Sequence, residues 1–113
     1  MTNRLFVYGT LAPGRPNEHV LAAIPGRWES ATVRGKLLQE GWGAKAGYPG
    51  ILLDETGDEV QGFLFSSDAL AEHLARLDAF EGSGYERVET SVQLVEGLVD
   101  AFIYVLRRPA AKA

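Results

Sequence analysis

Cysteine is absent from this chain of 113 residues, so neither disulfides nor thiolate metal sites contribute to it. Histidine is scarce: His19 and His73 lie far apart in sequence, neither with companion ligands nearby, which argues against a metal centre. The same scarcity leaves Ser66, Ser67, Ser83 and Ser91 without a histidine at suggestive spacing, so a serine nucleophile has no support. No apolar run approaches the length that spans a bilayer, and residues 1–4 pass into a strand-like segment without a charged leader. A cytoplasmic location without membrane attachment is the expectation. Basic residues do not dominate either. The formal net charge is −4, and Arg107-Arg108 with Lys112 reads as a solubilising tail, so no nucleic-acid partner is expected.

What is present is ordinary globular composition, 46% hydrophobic and 23% charged, at a length that fits one domain over residues 1–113. Arg4 to Tyr8 is a short β-branched and aromatic run ending at Gly9, which reads as a buried strand. Pro13, Gly14 and Pro16 make the next stretch a loop, and Asn17 is placed to cap a short helix to about Ile24. Trp28 to Gln39 alternates, with Ala31, Val33, Gly35 and Leu37 on one face. A glycine-rich loop around Trp42 leads to strands at Ile51–Leu53 and Val60–Phe65. Leu70, Leu74 and Leu77 recur at helical spacing behind a Ser67 N-cap, predicting a helix from Asp68 to about Phe80, with Gly82 and Gly84 ending it. Two strands joined at Glu96-Gly97 complete the chain. The order β-α-β-β-β-α-β-β predicts an α+β fold: a small mixed or antiparallel β-barrel of about six strands with two main flanking helices. Strands joined by tight turns should be antiparallel, and the two long connections are where parallel pairing is expected.

Two places have the residue types that chemistry needs. At Tyr8-Gly9-Thr10-Leu11, a glycine just past a buried strand lets backbone approach a ligand, and successive N–H groups there can form an anion-binding nest. An ordinary turn glycine is the competing reading. Glu81 follows the apolar stripe of the second helix at its C-terminal end, where the helix dipole disfavours negative charge. Partial burial beside Phe80 would raise its pKa further, toward what a general acid–base needs, although a solvated helix-end glutamate fits the spacing too. Asp78 reads as solvent-facing or bonded to nearby backbone.

Taken in order, Leu5-Phe6-Val7-Tyr8-Gly9-Thr10-Leu11 with Gly14 and Asn17, Tyr48-Pro49-Gly50, Gly62-Phe63-Leu64-Phe65, and Leu77 to Gly82 followed by Tyr85 and Arg87 resemble the γ-glutamylcyclotransferase-like family. The resemblance runs from Leu5 to about Leu106. It implies a small barrel whose Tyr8-Gly9-Thr10-Leu11 backbone holds a γ-glutamyl group, with Glu81 as catalytic acid–base. It also implies release of 5-oxoproline without a metal or cofactor. Tyr48, Tyr85 and Arg87 are further candidates for substrate contact, each equally suited to packing; Arg87 has Glu81 and Glu89 as possible partners. The partner is then a small γ-glutamyl compound, with Pro13 to Asn17, Gly41 to Gly47 and Trp42 as the variable elements facing its amine side. A binding domain of the same fold without turnover is the alternative. Monomer and homodimer are both open, with Trp28, Trp42 and the apolar last strand as interface candidates.

Overall fold

The computed structural model describes residues 3–9, 14, 19–22, 24–38, 50–82 and 84–106. Thr10, Leu11, Tyr48, the Asn17 cap, the Trp42 loop and the tail after Leu106 lie outside the described residues. In chain order the elements are β1 (Arg4–Val7), α1 (His19–Ala22), β2 (Arg27–Leu38), β3 (Gly50–Leu53), β4 (Asp58–Ser66), α2 (Leu70–Glu81), β5 (Tyr85–Leu94) and β6 (Gly97–Leu106). This is the expected order.

Five strands close into a ring, β2-β4-β1-β6-β5, through a bridge between Thr32 of β2 and Gln93 of β5. The sixth, β3, hangs on the far half of β2, from Gly35 opposite Leu53 to Leu38 opposite Gly50. The barrel is therefore five-stranded with one extra strand. Its parallel pairing joins β1 to β6, Leu5 beside Phe102 and Phe6 beside Ile103. Neither long connection produces it, because closing the ring sets the first strand beside the last.

Side chains alternate between the two faces of a closed barrel. Phe6, Ala31, Val33, Leu64, Val92 and Ile103 form a cluster to which neither helix contributes, and this is the interior. Their neighbours along the strands, including Leu5, Val7, Phe65 and Phe102, pack outward against Leu21 of α1 and Leu70, Leu74 and Leu77 of α2. Burial of those three α2 leucines stabilises the helix on the barrel by roughly 1.5–3 kcal/mol each. Trp28 lies edge-on to Phe63 and against Phe65, at 6.3 and 4.8 Å between ring centroids. β6 lies between β1 and β5, and most of its second half is buried. Leu37, expected inward, is 39% exposed, because β2 has by then left β4 for the hanging strand.

Two local expectations change. Ser67 does not cap α2: it lies two residues before the N-cap, Ala69, and its Oγ accepts from the Ala69 N–H at 3.1 Å, closing a turn that ends there. The β5–β6 turn residues are Val95 and Glu96, since Leu94 pairs with Gly97, which begins β6 at φ 141°. Among the described residues no helix is long and apolar enough to cross a membrane.

Gly62 lies where β4 passes β1. A Cβ there would press on the Val7 carbonyl oxygen and the Phe6 ring. Gly62→Ala is expected to lower unfolding free energy by about 1–3 kcal/mol, measured as a lower urea midpoint at unchanged slope.

Candidate active site

The parallel β1–β6 pair sets two C-terminal strand ends side by side at one end of the barrel. Tyr8 leaves β1 there, and Tyr104 approaches the same end on β6. β5 runs antiparallel to β6, so its first residues, Tyr85 and Arg87, come opposite Leu106 and Tyr104. β5 is fed by α2, so the C-terminal end of that helix arrives here too. Gly82 ends it with φ 84°, a left-handed conformation that glycine adopts without strain, and its N–H donates to the Asp78 carbonyl at 3.0 Å. Glu81, the last helical residue, is thereby held at the barrel end rather than on its flank.

Tyr8 and Glu81 form one electrostatic unit. The Tyr8 hydroxyl donates to the Tyr104 carbonyl at 2.6 Å, and its ring stacks on Phe6 with centroids 6.4 Å apart. Burial pushes the Tyr8 hydroxyl well above its ordinary pKa, reinforced by the nearby Tyr85 and Glu81. Burial alone pushes Glu81 up from the ordinary carboxylate range to about 7. Its carboxylate has no ion-pair partner among the described residues. Such a group exchanges a proton readily at neutral pH.

Arg87 is the cation that would have prevented this. Its pairing is with neither Glu81 nor Glu89 but with Asp78, one helical turn before Glu81. Nε and one terminal nitrogen fork onto the two Asp78 oxygens at 2.8 and 3.1 Å. The Tyr104 hydroxyl donates to the same carboxylate at 2.6 Å, and the guanidinium lies 4.7 Å from the centre of the Phe102 ring. Asp78, expected to face solvent or bond backbone, is instead the hub of this network. Hydrogen bonds from Arg87 first, and from Tyr104, hold its carboxyl below the ordinary range. Burial, then the hydrogen bond to Asp78, raises the Tyr104 hydroxyl.

The candidates therefore divide. Tyr8, Tyr85 and Glu81 converge, and Gly9 follows Tyr8 at the same end. Arg87 reaches the region through Asp78. Thr10, Leu11 and Tyr48 lie outside the described residues. Sequence reasoning passed over Tyr104 and the role of Asp78. The available signal was the alternation Phe102, Tyr104, Leu106, in which Tyr104 alone has a polar group on the helix-facing side. Among the described residues no three His, Asp or Glu side chains converge on a metal-sized site.

The Asp78 network has a testable pH signature. Its folded pKa lies below the unfolded value of 3.8, so its stabilisation is fully present above about 4 and is lost as pH falls further. Asp78→Asn is expected to cost about 1–2 kcal/mol at pH 7, with the deficit shrinking below pH 4 in urea titrations.

Comparison with known proteins gives one answer from sequence and structure. The profile of the family described as gamma-glutamyl cyclotransferase, AIG2-like, matches residues 5–113. YkqA of Bacillus subtilis (strain 168) is 32% identical over 108 residues, which are 96% of this chain and 36% of YkqA. The YkqA crystal structure superposes with a TM-score of 0.72 at 30% identity, over 95% of this chain and 36% of that one. This chain thus corresponds to little more than a third of YkqA. An AIG2-like protein of Mus musculus, also at TM-score 0.72 and 27% identical, is matched over 98% of this chain and 79% of its own. With the profile matched from β1 to the C-terminal residue, the chain belongs to the AIG2-like gamma-glutamyl cyclotransferase family.

Proposed function

We propose that this chain releases 5-oxoproline from γ-glutamyl amines or amides, with Glu81 as general acid–base. The observation that carries the reading is a part-buried Glu81 carboxylate, pKa about 7, left without a cation because Asp78 holds Arg87. Family membership supports the reaction class, and the barrel closed by residues 4–106 supports treating the chain as one folding unit.

The chemistry needs little from the protein. The substrate's own α-amine attacks the γ-carbonyl carbon, forming the new C–N bond of a five-membered lactam. Glu81 accepts the proton that the amine loses and delivers it to the leaving nitrogen as the old C–N bond breaks. One carboxyl serves both steps, contributing roughly 10²–10⁴-fold. Backbone N–H groups following Tyr8 would hold the substrate carboxylate or the developing oxyanion, a donor of the latter kind being worth about 3–4 kcal/mol. Holding the γ-glutamyl chain curled supplies the ring-closing orientation.

Glu81→Gln is expected to abolish turnover in a mass-spectrometric assay of 5-oxoproline across a panel of γ-glutamyl amides. Near wild-type release by that variant would rule out the acid–base role. Wild-type activity should rise as pH climbs through about 7, where Glu81 becomes a base. Stability should move the other way. A folded pKa above the unfolded 4.5 means that folding disfavours the charged form, so stability falls as pH rises toward and through 7. Glu81→Gln removes that penalty and should be more stable than wild type at pH 8, by up to about 3 kcal/mol, and equal to it near pH 4.

Gly9→Val should crowd the backbone beside Tyr8 and weaken binding of γ-glutamyl compounds measured by calorimetry. Unchanged affinity would put the ligand elsewhere.

A further inference from the structure

The Tyr8 hydroxyl has two partners, neither of them used by the proposed reaction. A tyrosine hydroxyl has one proton to donate, and that of Tyr8 goes to the Tyr104 carbonyl at 2.6 Å. Its oxygen faces β3 as well, where the Ile51 backbone hydrogen-bonds to it. The register of β3 explains how. The Asp54 N–H donates to the Arg34 carbonyl at 3.2 Å, which sets the phase of the β2–β3 ladder. Hydrogen-bonded and non-bonded pairs alternate along antiparallel strands, so Leu52 opposite Lys36 is bonded to β2 and Ile51 opposite Leu37 is not. The Ile51 N–H therefore points away from β2, and Tyr8 supplies its acceptor.

Three further contacts show what this junction fixes. Among the described strands β3 pairs with β2 alone, outside the ring, yet Ile51 is fully buried with Phe6, Leu64 and Ile103 in the barrel interior. Its side chain closes the mouth of the ring. A Cβ on Gly50 would collide with the Leu106 side chain, which places the start of β3 against the end of β6. Leu106 in turn is in register with Tyr85, four residues after Glu81. Glu81 is near enough to act electrostatically on both the Tyr8 and the Tyr104 hydroxyls. β3 thus walls the end of the barrel at which Glu81 sits.

We propose that Tyr8 is a positioning residue: its hydroxyl latches β3 across the barrel mouth beside Glu81, bridging Ile51 to Tyr104, and does not itself hold substrate. The effect on substrate rests on the acid–base reading of Glu81; the latch does not. Without the hydroxyl, β3 is released from Tyr104, the space that receives the γ-glutamyl chain loses its fixed wall, and proton transfer at Glu81 is untouched.

The test joins amide hydrogen exchange to steady-state kinetics on wild type and Tyr8→Phe, which keeps the ring and its stacking on Phe6. In the wild type the Ile51 amide should be protected although it has no partner on β2. In Tyr8→Phe it should exchange about tenfold faster or more, with Leu64 in the barrel interior little changed. KM for a γ-glutamyl amide should rise about tenfold, kcat should stay within about threefold, and the pH midpoint should remain near 7. An unprotected Ile51 amide in the wild type, or unchanged exchange in Tyr8→Phe, would overturn the latch. A large fall in kcat with a displaced pH midpoint would put Tyr8 on the reacting atoms and overturn the positioning role, as would an unchanged KM. A wild type that turns over no γ-glutamyl amide refutes the Glu81 reading instead, and Ile51 exchange then decides the latch alone.

Discussion

Parallel pairing of the first strand with the last is the constraint on which the other features depend. Only in that register do the C-terminal ends of β1 and β6 lie side by side, bringing Tyr8 within 2.6 Å of the Tyr104 carbonyl. Since β5 returns antiparallel from that end and α2 feeds β5, the helix C-terminus must arrive at the same place. Topology therefore places Glu81, part-buried, at this end of the barrel. No local sequence preference is needed to put it there.

The second requirement is that the neighbouring arginine be occupied. A guanidinium free to pair with Glu81 would return its pKa to the acidic range and leave a carboxylate unable to protonate a leaving group at neutral pH. Asp78 prevents this by taking both arms of Arg87 and the Tyr104 hydroxyl. Two carboxylates one helical turn apart thus have opposite environments. The one with donors is held below its ordinary pKa, and the one without them is raised by desolvation to about 7. Divergence of this kind is what the acid–base role proposed for Glu81 requires.

Much of this was legible in the sequence because it is local. The apolar run into Gly9, the leucine spacing of α2 and the glycine after Glu81 each report on a few adjacent residues, and each corresponds to an element boundary to within about two residues. What could not be read depends on register between distant strands. Tyr104 sits in an almost uninterrupted apolar run, where nothing marks one tyrosine as a partner of a helix residue 26 positions earlier. The sequence offered Glu81 and Glu89 as partners for Arg87, and the choice of Asp78 instead follows from how α2 lies on β5. The contributions of Thr10, Leu11 and Tyr48 rest on the family resemblance.

Titrating the Glu81 side-chain carboxyl carbon by ¹³C NMR, with Glu81→Gln to assign the signal, most directly tests the central claim that burial poises this residue for proton exchange at neutral pH. The expected midpoint is about 7. A midpoint near 4.5, the ordinary value for an accessible glutamate, would contradict it.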